Sequence, residues 1–302
     1  MSKKSSRRSA LKNMALGTTG VALGMTALAC KDQGEKPLAE AKEPQDQPLK
    51  GNINHSVCYW CYNSFTIEDF SKEVARLGMP AIDLLTPAQW KVAAKQGIKC
   101  AVGTESFADI QNGFNVGANH SRLQQQYEGL IKEAAKDGVP NVIVFSGNRR
   151  ELTDEEGWET CVKGLKPLAD IAESEGVTLI MELLNSKVDH KDYQNDHTLW
   201  GVELCKRLGS DNFKLLYDIY HMQIMEGDVI RTIKEHHPYI AHYHTGGVPG
   251  RNEINTSQEL YYPAIMKAIV ETGFKGYVAQ EFIPTYKDKI AALKEGVQIC
   301  DV

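Results

Sequence analysis

Acidic side chains and histidines stand at the ends of four apolar runs in the second half of the chain. Glu182 ends "TLIME", Asp218 ends "FKLLYD", and Glu281 follows "GYVAQ". The run "IAHYHT" between the last two carries His242 and His244. Burying an unpaired carboxylate is costly. These acids therefore either face water or face a partner that holds them together.

The elements that position these residues follow a regular alternation that begins near residue 53. Apolar runs that we interpret as strands alternate with stretches of helical spacing such as "SRLQQQYEGLIKEAAKDG". This alternation predicts a parallel sheet with right-handed crossovers. Eight units over residues 53–302 predict one (β/α)8 TIM barrel in the α/β class. An open doubly wound sheet is the alternative, but no G-x-G-x-x-G phosphate loop follows the first strand.

The strand ends of such a barrel meet at one face, where the chemistry of this architecture takes place. Three carboxylates and an imidazole converging there would repel one another without a cation, whereas with a divalent ion they form a four-ligand site. Oxygen-rich ligation favours Mn²⁺ or Mg²⁺, and the imidazole leaves Zn²⁺ or Co²⁺ open. One glutamate at a strand end is more often solvated than a ligand, but acids and histidines on four consecutive strands are unlikely by chance. His242 shares a face with His244 and is either a second contact or a histidine of the barrel core.

The first 30 residues have the layout of a signal peptide. A basic stretch with Arg7 and Arg8 precedes the charge-free run Met14 to Cys30, which is too short for a confident membrane span. The twin arginines predict a twin-arginine export signal; an ordinary secretion signal is the alternative. We expect a periplasmic or cell-envelope protein.

The segment after the apolar run predicts a tether. Cys30 stands where a lipoprotein cysteine would stand, and residues 31–52 read as a disordered linker. We therefore expect lipidation at Cys30, with cleavage after "ALA" by an ordinary signal peptidase as the alternative. The C-x-x-C pair Cys58 and Cys61 follows a strand instead of opening a helix, so packing or an adventitious disulfide is a better interpretation than redox catalysis.

The charge distribution bears on the partners. The formal net charge is -5, with +4 in the first 50 residues and -9 in the remainder. An acidic body argues against nucleic acid as a partner and suits a small polar metabolite. The only membrane contact that we expect is the lipid anchor, and an oligomer stays possible.

The motifs "YDIYHMQI" and "PGRNEI" resemble the Y-D-x-Y-H-x-Q and P-G-R-x-E patterns of hydroxypyruvate isomerases. Residues 54–300 as a whole resemble the xylose isomerase-like TIM barrels, a family of sugar isomerases and epimerases. The resemblance implies a divalent metal ion and substrate-oxygen contacts from His221 and Arg251. His244 stands where the hydroxypyruvate branch often has glutamine, which leans toward the ketose epimerases. "CYWCYN" departs from the branch, which leaves the substrate open. The implied metal ligands are Glu182, Asp218, His244 and Glu281.

The activity that this resemblance implies is proton transfer beside a carbonyl. The metal would stabilise an enediolate, and Glu182 or Glu281 would move the proton at carbon. Two bases on opposite faces favour epimerisation, whereas one base serving both carbons favours ketose–aldose isomerisation. The alternatives are an exported sugar-binding protein without turnover, or a metal-dependent hydrolase or lyase on the same barrel.

Overall fold

The computed structural model describes residues 48–302. Eight strands and nine α-helices alternate within these residues, with short 3₁₀ turns at Tyr59–Tyr62, Gly117–Asn119 and His237–Tyr239. The strands are β1 Asn54–Val57, β2 Ala81–Leu85, β3 Lys99–Gly103, β4 Asn141–Val144, β5 Thr178–Glu182, β6 Phe213–Asp218, β7 Ile240–Thr245 and β8 Tyr277–Gln280. The helices are α1 Ile67–Arg76, α2 Pro87–Lys95, α3 His120–Asp137, α4 Asp154–Glu175, α5 Thr198–Leu208, α6 Ile219–Met225, α7 Val229–His236, α8 Tyr262–Glu271 and α9 Lys289–Cys300.

All eight strands lie in one parallel sheet with the order β1-β8-β7-β6-β5-β4-β3-β2. The two end strands approach each other, and an isolated parallel bridge joins Cys58 to Asp83. The sheet is therefore a nearly closed barrel, and the predicted (β/α)8 fold is confirmed.

Alternation along the strands separates an inner from an outer core. Ile143, Ile180 and Leu216 belong to a small apolar cluster inside the barrel, and a much larger cluster fills the space between the sheet and the helices. Side chains two residues apart on a strand share a face. Glu182 and Asp218 therefore follow Ile180 and Leu216 on the inner face, at the carboxyl ends of β5 and β6.

Local sequence signals set the ends of the long helices. Thr153 caps α4, since its side chain accepts from the Glu156 amide while the Glu156 carboxylate accepts from the Thr153 amide. Gly138 and Gly176 end α3 and α4 with φ of 73° and 69°, a conformation that glycine adopts without strain.

The first described residues, before β1, contact the C-terminal residues that follow α9. The Lys50 amide donates to the Asp301 carboxylate at 3.0 and 3.1 Å, and Leu49 packs against the outer core. The expectations of an export signal and of lipidation at Cys30 lie outside the described residues. Within residues 48–302, no helix is long and apolar enough to cross a bilayer.

Candidate active site

Four predicted ligands come together at the carboxyl end of the barrel. One ligand atom from each of them lies within 4.8 Å of all the others, and all four residues are buried. The ring of His244 is central, with Nδ1 2.8 Å from Glu281 Oε2 and 3.3 Å from Glu182 Oε1. The other members of the four-residue cluster are Glu182, Asp218 and Glu281.

Strand register brings this cluster together. Asp218 on β6 pairs directly with His244 on β7, and the Glu281 amide, just after β8, donates to the Thr245 carbonyl at 3.0 Å. Neighbouring parallel strands lie about 4.8 Å apart. Side chains at paired inward positions therefore meet without bending of the backbone.

Arg251 enters the cluster from the loop that follows β7. Its Nη2 atom lies 2.5 Å from Glu281 Oε2 and 3.4 Å from Asp218 Oδ2. Arg251 has a φ of 56°, in the left-handed region that non-glycine residues rarely adopt. A hydrogen bond from the Ile283 amide to the Arg251 carbonyl holds this turn at 2.6 Å. The guanidinium is therefore placed to neutralise part of the negative charge of the carboxylates.

The two acids beside Arg251 differ in their protonation. Burial raises the pKa of Asp218 well above its usual range, and the nearby Glu281 charge adds to this effect. Burial also acts against ionisation of Glu281, but Arg251 and His244 hold the pKa of that carboxyl well below its usual range. Glu281 therefore carries the negative charge, whereas burial favours the protonated form of Asp218 in spite of the opposing charge of Arg251.

His221 lies close to the cluster, in the first turn of α6. Its amide donates to Asp218 Oδ1 at 3.1 Å, and its ring Nε2 lies 3.6 Å from Asp218 Oδ2. Burial, with the charge of Arg251, lowers the pKa of His221 well below its usual range. The ring is therefore neutral and presents one nitrogen to the site.

A second polar group lies deeper in the barrel and was missed from the sequence. Asp83 on β2 places Oδ2 2.5 Å from His242 Nε2 and 3.4 Å from His244 Nε2. Burial would raise the pKa of Asp83, but the two histidines hold it below its ordinary value. His242 is thus a barrel-core histidine paired with a carboxylate. The feature of the sequence that could have indicated this residue is an acid inside the apolar run "AIDLL".

The two cysteines after β1 are free and buried. Cys58 Sγ lies 3.6 Å from His244 Nε2, and burial raises the pKa of both thiols. Between them, Trp60 donates from Nε1 to Glu281 Oε1 at 2.7 Å and stacks near the Arg251 guanidinium. The segment that departs from the hydroxypyruvate branch therefore contacts the cluster directly.

A cavity of about 400 Å³ opens onto the cluster. Its lining includes His190, whose ring centroid lies 5.2 Å from that of His221. His190 could not be singled out from the sequence, because loop residues show no periodicity. The apolar residues of the lining are Leu84, Ala108, Ile110, Ile143, Phe145 and Leu184.

The four-residue cluster fits a divalent cation. Three carboxylates and one imidazole are the donors that Mn²⁺, Mg²⁺ and Zn²⁺ accept. Glu182 Oε1 is buried and has no hydrogen-bond partner among the described residues, which is costly without a cation. The closest approach of a positive charge to Glu281 and Asp218 is that of Arg251. Glu182, Asp218, His244 and Glu281 would hold the ion.

Comparison with known proteins shows which proteins the chain is similar to. The profile described as "Xylose isomerase-like TIM barrel" matches residues 66–300. The chain is 25% identical to a putative hydroxypyruvate isomerase of Homo sapiens, over 68% of this chain and 80% of the relative. It is 34% identical to a 2-oxo-tetronate isomerase of Cupriavidus necator, over 66% of this chain and 70% of the relative.

The fold is also found among solved structures. A D-psicose 3-epimerase from Clostridium cellulolyticum, crystallised with D-tagatose, superposes with a TM-score of 0.67 at 19% identity. The match covers 82% of this chain and 97% of the epimerase. At this identity the likeness concerns the barrel.

Proposed function

Because the chain belongs to the xylose isomerase-like TIM barrel family, we propose that it is a metal-dependent isomerase or epimerase of a small hydroxy-carbonyl substrate. The hydroxypyruvate and 2-oxo-tetronate isomerases among its relatives favour a keto acid or a sugar. The observation that carries the proposal is the four-residue cluster beside the cavity.

The chemistry requires a proton to leave a carbon next to a carbonyl group. A bound divalent cation supplies electrostatic stabilisation for the negative charge that develops on the substrate oxygens. The protein must supply a base, orient the substrate and exclude water. Glu182 and Glu281 are both buried at the cavity, so either carboxylate could exchange a proton with the substrate carbon.

The two glutamates are not equivalent in this structure. Glu281 is engaged through both oxygens, because Oε1 accepts from Trp60 while Oε2 contacts His244 and Arg251. Glu182 keeps Oε1 without a hydrogen-bond partner among the described residues. We therefore assign the first proton abstraction to Glu182. In an isomerase the same carboxyl would return that proton to the neighbouring carbon, whereas in an epimerase Glu281 would be the second base.

Polar groups around the glutamates would hold the substrate oxygens. The neutral His221 ring directs Nε2 to the site, and Arg251 offers a permanent positive charge that suits a carboxylate or a developing oxyanion. The apolar residues that line the same cavity would limit the access of water to the reacting carbon.

The test is deuterium exchange at carbon in D₂O. Mn²⁺-loaded protein is incubated with a panel of ketoses and keto acids, and deuterium incorporation is followed by NMR. Glu182→Gln and Glu281→Gln keep the side-chain shape but remove basicity. We expect each to lower turnover by roughly 10²–10⁴-fold, with exchange lost in the variant that lacks the base.

The control is Glu235→Gln, which changes an exposed glutamate of α7 and should leave exchange at the wild-type rate. If both active-site variants retain exchange and turnover with full metal content, the proton-transfer mechanism is wrong. If the wild-type protein binds compounds of the panel without exchange, a binding protein that has lost turnover becomes the better account.

A further inference from the structure

The side chain of Asn185, three residues beyond Glu182, is buried and makes four hydrogen bonds. Its Oδ1 accepts from the backbone amides of Val188 and Asp189 at 3.0 and 2.9 Å. Its Nδ2 donates to Asp189 Oδ2 and to His221 Nδ1, both at 2.6 Å. Every donor and acceptor of this amide is therefore used within the protein.

This hydrogen-bond pattern fixes which end of the amide faces His221. Backbone amides can only donate, so the atom that they contact must be the oxygen of Asn185. The atom that faces His221 Nδ1 must then be the NH₂ group. A flipped amide would place its oxygen against the Asp189 carboxylate and its NH₂ group against two backbone donors.

A nitrogen that accepts a hydrogen bond from an amide NH₂ group carries no proton. The proton of the neutral His221 ring must therefore reside on Nε2. That nitrogen is buried and has no hydrogen-bond partner among the described residues. It lies 3.6 Å from Asp218 Oδ2, on the side of the ring that faces the four-residue cluster.

We propose that Asn185 is a positioning residue that holds His221 as the Nε2–H tautomer, so that the ring donates a hydrogen bond to a substrate oxygen. The opposite tautomer would present a lone pair to the site, and it would repel an oxygen that gains negative charge. The part of this inference that concerns the reaction rests on the proposed function. The tautomer itself does not.

An aspartate at position 185 has the same shape as asparagine but would favour the opposite tautomer of His221, so Asn185→Asp tests this role. In Asn185→Asp, an acceptor oxygen replaces the NH₂ group that faces His221 Nδ1. The ring then places a proton on Nδ1, either as the other neutral tautomer or as the cation. The backbone amides of Val188 and Asp189 still hold the other oxygen, so the loop that follows β5 keeps its turn.

The experiment is two-bond ¹H–¹⁵N correlation NMR of ¹⁵N-histidine-labelled protein, which distinguishes the two neutral tautomers. The signals of His221 are assigned by their disappearance in His221→Gln. We expect the Nε2–H pattern in the wild type and a proton on Nδ1 in Asn185→Asp. With an accepted substrate, kcat/KM should fall by roughly 10- to 100-fold, the size of a lost hydrogen bond to a buried group, while metal content stays at the wild-type level.

The matched control is Asp189→Asn, which removes the neighbouring carboxylate but leaves the two backbone amides that orient Asn185. It should keep the Nε2–H pattern. An Nδ1–H tautomer in the wild type overturns the proposal, and this spectrum needs no variant to fold. A changed tautomer with unchanged kcat/KM overturns the role in the reaction. If no substrate of the panel reacts while the wild type shows Nε2–H, the proposed function fails and the tautomer assignment stands.

Discussion

Asp218 combines a structural task with a chemical one. Oδ1 accepts from the amide of His221 and caps helix α6, while Oδ2 faces Arg251 and the other members of the four-residue cluster. The same residue therefore sets the position of His221 and contributes negative charge to the proposed metal site. A substitution that removes the charge but keeps the cap separates these two tasks.

We expect Asp218→Asn to lose metal and to keep the helix. Asparagine is as good an N-cap as aspartate, so α6 should form, but the site loses one of its anionic donors. Bound Mn²⁺, measured by plasma mass spectrometry after dialysis, should fall by at least tenfold. The stabilisation by added Mn²⁺ in a thermal melt should fall with it, because a ligand that binds only the native state raises Tm.

The control for this prediction is Asp211→Asn. Asp211 is fully exposed and pairs with Lys214 on the surface, so its charge should have no effect on bound metal. A full complement of Mn²⁺ in Asp218→Asn would exclude Asp218 from the site. Equal losses in both variants would point to a general effect of net charge.

At the scale of elements, the loop between β7 and α8 is fastened to the loop after β8. Glu253 accepts hydrogen bonds from the Thr285 amide, the Thr285 hydroxyl and the Tyr286 amide, at 2.5, 2.9 and 3.2 Å. Arg251 lies two residues earlier in the same loop, and its carbonyl accepts from the Ile283 amide. The position of the Arg251 guanidinium therefore depends on contacts between two loops as well as on strand β7.

The Glu253 contacts predict an acid-sensitive stability. Burial would raise the pKa of Glu253, but the hydrogen bonds from Thr285 and Tyr286 hold it below its ordinary value of 4.5. A depressed pKa stabilises the folded state above pH 4.5, and the contribution disappears as the pH falls through the folded-state value. Glu253→Gln should lower the free energy of unfolding at pH 7 by about 1–3 kcal/mol.

The measurement is urea unfolding of Glu253→Gln and wild type between pH 7 and pH 3. The difference in free energy of unfolding should shrink toward the acid end, because the wild type loses its ionised carboxylate there. Glu259→Gln is the control, since Glu259 is an exposed glutamate of the same loop. A difference that stays constant over the whole pH range would assign the effect to packing and not to the charge.

Several elements of the barrel could be predicted from sequence because short-range patterns specify them. "AIDLL" and "KCAVG" coincide with β2 and β3, and the Gly138 cap ends α3 where helical spacing stops. Strand order in a parallel barrel follows chain order, so residues at the strand ends must meet. This reasoning is enough to bring Glu182 and His244 together although 62 positions separate them.

The contacts that were missed depend on geometry that no local pattern encodes. Trp60, just after β1, reaches Glu281, just after β8, because the first and last strands pair, and Asp83 contacts His242 only because the barrel closes. Asn185 and His190 lie in a loop, where spacing gives no information about direction. Sequence reasoning therefore found the residues on strand ends and, through the resemblance of two motifs, His221 and Arg251. It missed Trp60, Asp83, Asn185 and His190.

At the scale of the whole molecule, charge divides the chain into two parts. The first 50 residues carry a formal charge of +4, and the remainder carries -9. A basic stretch before an apolar run favours translocation of the segment that follows, while an acidic body suits a small polar substrate and not nucleic acid. The proposals for export and for the active site therefore concern separate parts of the chain and can fail independently.

The last prediction concerns the first part, which lies outside the described residues. We propose that Arg7 and Arg8 direct export through the twin-arginine pathway and that Cys30 is lipidated. Arg7→Lys with Arg8→Lys keeps the charge but removes the paired guanidinium groups, so precursor should accumulate in the cytoplasm. Lys3→Arg with Lys4→Arg is the matched control, and its export should equal that of the wild type.

Cys30→Ala should release soluble protein or leave the leader uncleaved, because one acyl-bearing thiol is lost. Fractionation followed by immunoblotting, with labelled palmitate to detect the lipid, measures each outcome. Unchanged fractionation in both variants would mean that the leader has another function.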